Sequence, residues 1–203
     1  MTEPVVHIVD DDESVRKSLR WLIESVGLKV DCYDSANSFT QATINQGPGC
    51  MVLDVRMPGM SGLDLQEQLS KHDLPLPVII VTGHADVPMA IRALKSGAFD
   101  FIEKPYNDQH LLDRVQEAIA HSTHSLSVDA EKQEARRKID SLTPREREVM
   151  SLVTEGYPNK QIAVKLDLSI KTVETHRANL MSKMQVSSLP ALIKMVMLAE
   201  EQA

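Results

Sequence analysis

The stretch CMVLDVRMPGMSGL, residues 50–63, carries the reading of the fold. It opens with an apolar run that ends on one carboxylate, Asp54, turns at Met57-Pro58-Gly59 and passes into a helical pattern over 61–71. An unbroken apolar run bounded by turn signals reads as a strand buried on both faces, and Pro-Gly is such a signal. The same unit recurs on either side. Upstream, Val5 to Asp10 precedes a helical stretch from Ser14 to Val26, and Leu28 to Tyr33 precedes one over 35–45. Downstream, Val78 to Thr82 leads into a helix over 86–96, and Phe99 to Ile102 into one over 107–120. Five β/α units in tandem need right-handed crossovers and a parallel sheet covered by helices, the α/β doubly wound, five-stranded architecture. Ligands of such sheets lie beyond the carboxyl ends of the strands.

Those ends carry a consistent set of polar residues. Asp10, Asp11 and Asp12 follow the first strand and Asp54 the third; Thr82 and Gly83 end the fourth, and the fifth leads to Lys104 and Pro105. Carboxylates that converge repel one another, and a hard divalent cation with a lysine beside it relieves that repulsion. The expected cofactor is therefore Mg²⁺ (or Mn²⁺). No Gly-rich GxGxxG or GxxxxGK[ST] loop is present, which argues against a dinucleotide or nucleoside triphosphate. Asp12 reads instead as the cap of the helix that begins near Glu13.

Length and charge point to more than this one domain. The chain has 203 residues, enough for two small domains. Residues 1–120 hold 10 basic and 18 acidic side chains, whereas 141–203 hold 8 and 7. A nearly neutral C-terminal module can approach nucleic acid where the acidic part cannot. Aromatics make up 3%, too few for a base-stacking platform. Cys32 and Cys50 lie in separate apolar runs and read as two thiols. No apolar run approaches the roughly 20 residues of a membrane span, and the N-terminus lacks a basic n-region, so a cytoplasmic protein is expected.

Residues 121–140 contain neither Pro nor Gly and few apolar side chains, and read as a partly helical linker in which Glu134 and Lys138 form an i,i+4 pair. His121 and His124, without other ligands at the right spacing, make a weak metal signal. From Leu142 the pattern is helical. Thr143-Pro144-Arg145-Glu146 is a capping box with Pro at the first position, and the helix it opens runs to about Glu155. Helices over Asn159–Leu166 and from Ile170 to about Gln185, joined by a turn at 167–169, make a helix-turn-helix; a last helix covers Leu189 to Glu200. Ile170, Val173, His176, Leu180 and Met184 are expected in the core. Lys171, Thr172, Glu174, Thr175, Ala178 and Asn179 are expected outward toward base edges, with Arg177 and Lys183 toward phosphates.

The strings VDDDE, LDVRMPGMSG, VTG and EKP, in this order, resemble the receiver domain of two-component response regulators over about residues 4–120. LTPREREVMSLVTEG, NKQIA and SIKTVETHRANLMSKM resemble the LuxR-type helix-turn-helix domain over about 140–200. The whole chain thus resembles a response regulator of the FixJ/NarL type, with a receiver over 1–120, a linker over 121–140 and a DNA-binding domain over 141–203. The resemblance implies Asp54 as phosphoacceptor. It implies Asp11, Asp54 and the backbone carbonyl of Arg56 as direct metal ligands, with Asp10 acting through water. Thr82 and Lys104 would hold the phosphoryl group, and Phe101 would couple it to a dimer surface of Val87, Ile91 and Lys95. Arg56 and His84 would flank the phosphate and tune its lifetime, and Lys104-Pro105 would be cis. The implied partners are a sensor histidine kinase, double-stranded promoter DNA and a second copy on phosphorylation, with RNA polymerase as a candidate. The only chemistry implied is the protein's own phosphorylation and dephosphorylation. A Mg²⁺-dependent phosphatase, which needs a second Asp where Arg56 stands, and a receiver whose tail binds protein or RNA are the alternatives.

Overall fold

The computed structural model describes residues 3–43, 47–71, 76–83 and 86–200 and divides into two units, 1–126 and 127–203. In the first, strands β1 (Val5–Val9), β2 (Lys29–Tyr33), β3 (Gly49–Leu53), β4 (Val78–Thr82) and β5 (Asp100–Glu103) form one parallel sheet in the order β2-β1-β3-β4-β5. Every residue of β3 and β4 is buried, as their unbroken apolar runs require. Alternate side chains feed two cores. Val6, Ile8, Val52 and Ile79 pack with Leu19, Ile23 and Leu111 on one face, and Met51, Leu53 and Ile80 with Phe39, Leu65 and Ala93 on the other.

The chain leaves β1 in one direction for β2 and returns on the other side for β3, which makes the β1/β3 boundary the switch point. Val9 pairs with Leu53, so the next residues, Asp10 and Asp54, emerge side by side. The helices of this unit are α1 (Glu13–Glu24), α2 (Ala36–Gln41), α3 (Gly62–Lys71), α4 (Val87–Lys95) and the part of α5 (Asp108–Asp140) up to residue 126. Asp12 caps α1 by accepting the amides of Ser14 at 2.7 Å and Val15 at 3.4 Å. Two spans differ from the sequence pattern. The second helix stops at Gln41, not 45, where Ala42 turns extended; Asn37, Ser38 and Thr40 propagate a helix poorly. α5 does not end near 120 but continues to Asp140. Loss of the apolar stripe after 120 is no stop signal, because Ala, Glu, Lys, Arg and Gln keep high helix propensity there, and Lys138 lies 3.8 Å from Glu134.

In the second unit α6 (Pro144–Thr154), α7 (Asn159–Leu166), α8 (Ile170–Met184) and α9 (Leu189–Glu200) enclose Leu142, Val149, Ile162, Val173, Leu180 and Met184. The capping box of Thr143 and Glu146 is formed in both directions. α7 and α8 join through Asp167, whose φ of 54° lets the chain reverse in three residues. Two expected core residues of α8 lie elsewhere: Ile170 is 47% exposed and His176 only half-buried. Among the described residues no helix is long and apolar enough to cross a membrane.

Candidate functional site

At the carboxyl end of the sheet Lys104 reaches between two buried carboxylates. Its Nζ donates to Asp10 Oδ2 at 2.8 Å and to Asp54 Oδ1 at 3.0 Å, closing a contact between residues 94 and 50 positions apart. The register makes this possible, since Thr82 pairs with Glu103 and the Lys104 amide bonds Thr82 O at 2.8 Å. The Lys104-Pro105 peptide is cis. The second oxygen of each acid is also held. Asp10 Oδ1 accepts the Asp12 amide at 2.9 Å, and Asp54 Oδ2 the Arg56 amide at 2.7 Å. Arg16 Nη1 donates to the Asp10 carbonyl at 2.6 Å, a partner with no signature in sequence. Gly62, which opens α3, lies so close that a Cβ there would stand 2.1 Å from the Asp54 carbonyl oxygen.

Burial dominates the electrostatics. It raises the Asp54 carboxyl above its ordinary range, with Asp10 adding repulsion, and the Lys104 ammonium only partly offsets this. Burial opposes charge on Lys104 as well, but Asp10 and Asp54 outweigh it and hold the ammonium above its usual value. Two carboxyl groups and one lysine thus share a largely buried site, with the ammonium already between the two acids.

The expected residues are not all gathered. Asp10, Asp54 and Thr82 are buried at the carboxyl ends of the neighbouring strands β1, β3 and β4, and Lys104 joins the two acids. Asp11 is exposed, and among the described residues no three His, Cys, Asp or Glu side chains are clustered to hold a metal ion. The two buried oxygen-donor acids with exposed Asp11 beside them suit Mg²⁺ in donor type, and their excess charge would be relieved by it. The Arg56 side chain is exposed, and His84 lies outside the described residues. Phe101 is half-buried on β5 against the Leu53 and Ile80 core. On α4, Val87 is 72% and Ile91 48% exposed, Lys95 is exposed, and Leu94 extends the same apolar surface.

The helix-turn-helix residues divide into engaged and unengaged. Ser169 caps α8 through the Thr172 amide at 3.0 Å and also bonds the Thr172 hydroxyl at 2.7 Å. Thr175 Oγ1 donates to Lys171 O at 3.0 Å. Arg177 Nη1 donates to Asn159 Oδ1 at 2.6 Å, and Lys183 Nζ to Glu146 Oε2 at 2.7 Å. Both cations expected at phosphates thus already have partners within the domain. Lys171, Glu174, Ala178 and Asn179 are exposed, and among the described residues the three polar ones make no side-chain hydrogen bond or ion pair.

Comparison with known proteins bears on both units. Residues 6–116 match the response regulator receiver domain, and 140–196 the luxR family of bacterial regulatory proteins. The chain is 44% identical over 200 residues to the transcriptional regulatory protein FixJ of Rhizobium meliloti (strain 1021), covering 97% of each. It is 42% identical over 190 residues to the response regulator protein TodT of Pseudomonas putida, covering 94% of this chain and 84% of TodT. Among solved structures the response regulator StyR superposes with a TM-score of 0.90 at 40% identity, over 97% of this chain and 99% of StyR. With the acid pair and lysine on a β2-β1-β3-β4-β5 sheet and a helix-turn-helix later in the sequence, the chain belongs to the response regulators that join a receiver domain to a LuxR-type domain.

Proposed function

We propose that this protein is a transcription regulator switched by phosphorylation of Asp54. The observation that carries the reading is the Lys104 ammonium held at 2.8 and 3.0 Å between Asp10 and Asp54. A sensor histidine kinase supplies the phosphoryl group, and an Asp54 oxygen forms the new O–P bond as the donor's N–P bond breaks. A carboxylate approaches phosphorus only where the repulsion of anionic oxygens is offset, and Lys104 supplies fixed positive charge for this. The Asp54 carboxylate is itself the nucleophile, so no separate base is required. A Mg²⁺ (or Mn²⁺) ion, when bound, supplies further charge neutralisation. The residues that would hold it are Asp11, Asp54 and the Arg56 carbonyl, with Asp10 through water. Thr82, at the end of β4, takes a phosphoryl oxygen.

The signal then passes through Thr82 and Phe101 to the exposed face of α4, where Val87, Ile91 and Lys95 form a contact with a second copy. Dimerisation presents two α8 helices to two half-sites of promoter DNA, and the second engages at high local concentration. Lys171, Glu174, Thr175, Ala178 and Asn179 line the DNA-facing side. RNA polymerase is a partner of the DNA-bound dimer. Residues 121–140 join a receiver over 1–120 to a DNA-binding domain over 141–203.

Asp54→Asn removes the nucleophile while keeping the shape. With Mg²⁺ and acetyl phosphate the native protein gains one phosphoryl group by intact mass, and the variant gains none. Undiminished labelling of the variant overturns the assignment.

A further inference from the structure

The outward side of α8 is less polar than its sequence suggests. Thr172 spends its hydroxyl on the Ser169 cap, Thr175 donates its proton to the Lys171 carbonyl, and Arg177 and Lys183 are paired inside the domain. Ile170, by contrast, stands 47% exposed at the first position of the helix. A first-turn side chain points back beyond the helix start, where no preceding turn covers it. Ile170, Glu174 and Ala178 follow one another at i, i+4 and i+8, and all three are exposed. Each step of four advances about 6 Å along the axis. The stripe therefore reads apolar, acidic, apolar.

We propose, on the basis of the DNA-binding reading above, that this stripe sets the base sequence of the half-site. Glu174 accepts from the N4 amino group of a cytosine, and Ile170 and Ala178 cover the C5 methyl groups of thymines on either side of it. The major groove offers few partners for such a stripe. A carboxylate has no donor to meet at guanine O6 and N7 or at thymine O4, whereas cytosine N4 is a donor without an adjacent acceptor on the same base. The thymine methyl is the one apolar group on a base edge, and an exposed isoleucine gains by covering it. Glu174 makes no ion pair among the described residues, so its charge is not spent within the domain.

The test starts from duplexes selected out of a random pool by the full-length protein after acetyl phosphate treatment. Each thymine of the selected half-site is then replaced singly by deoxyuracil, which removes only the C5 methyl. Affinity is measured by fluorescence anisotropy for the native protein and for Ile170→Ala. For the native protein, the thymine under Ile170 costs about four-fold on replacement, the worth of one buried methyl. In Ile170→Ala the same replacement costs almost nothing, while replacements elsewhere keep their effect. Glu174→Gln relaxes the choice of cytosine in a repeated selection. Because the probe change is made in the DNA, the native protein alone tests the methyl contact even if Ile170→Ala loses stability. A selected half-site whose thymines all tolerate deoxyuracil overturns the inference and leaves DNA binding standing. Failure of the native protein to select any sequence overturns the DNA-binding reading itself, and the inference with it.

Discussion

Lys183→Met isolates the ion pair that ties α8 to the start of α6. The Glu146 side chain is 5% exposed, and its Oε2 accepts from the Thr143 amide at 2.8 Å and from Lys183 Nζ at 2.7 Å. Removing the ammonium leaves a nearly buried carboxylate with one backbone donor. A hydrogen bond to a charged group contributes about 1.5–3 kcal/mol, and breaking a fully buried pair costs about 3–5 kcal/mol. Lys183 is itself 38% exposed, so water reaches part of the vacated position and the lower range applies, about 2 kcal/mol. Methionine preserves the stem's packing, so the loss is electrostatic. Without DNA, amide exchange of α6 and α8 through global opening of this unit should accelerate about 30-fold, at 1.4 kcal/mol per decade. The pH dependence has a definite sign. Lys183 and the Thr143 amide hold the Glu146 carboxyl below its ordinary value of 4.5, so the stabilisation is present above that pH and is lost as pH falls through the depressed folded value. The difference between native and Lys183→Met should therefore shrink in acid, and it should also shrink when both are built on Glu146→Gln. An equal loss in the Glu146→Gln background would refute the reasoning, because the effect would then belong to Lys183 alone.

Gly62→Ala should disable the acceptor site without touching a charged group, since the new Cβ meets the Asp54 carbonyl at 2.1 Å; acetyl phosphate labelling should fall at least ten-fold, and native-like labelling would show that the loop gives way freely. His7 is 4% exposed on β1, beside the rings of Tyr33 and Phe39, and burial holds its imidazole below the ordinary 6.5 despite Asp31 nearby. The unfolded chain then binds more protons below about pH 6.5, so the first unit loses stability as pH falls from there to the folded value; urea midpoints of His7→Val should lack this component, and identical pH profiles would exclude it. Val87→Asp puts a charge at a 72%-exposed position of α4 and should leave Asp54 phosphorylation intact while abolishing phosphorylation-dependent dimers in sedimentation. Normal dimerisation of that phosphorylated variant would place the contact elsewhere.

Local pattern was enough for the existence of the elements, though not for the ends of α2 and α5. β3 and β4 are buried on both faces, so their sequences carry no alternation, and Asp12 and Thr143 announce helix starts because a cap is a contact over two or three residues. From five such units in a row the doubly wound sheet follows, and with it the expectation that Asp10, Asp54, Thr82 and Lys104 share one end. The meeting of Lys104 with both acids, however, depends on the Val9–Leu53 and Thr82–Glu103 registers, which no local signal specifies.

What sequence spacing could not reach is decided by how helices cross. Lys183 looked like an outward cation until α8 packed on α6 and brought it to Glu146, 37 residues away; Arg177 likewise found Asn159 across the turn. Helical periodicity assigns a face to a residue but not an end to that face. Ile170 has the right phase for the core and lies one turn beyond where the core stops, while Asp11 stands in line with two buried acids and faces water. The sequence by itself determined which segments form helix, strand and polar strand-end, because those follow from contacts within a few residues, but not where α2 and α5 end. Which charges are paired, which oxygens are held and which apolar side chain is left exposed was decided only by the tertiary structure, because each depends on a partner brought in from a distant part of the chain.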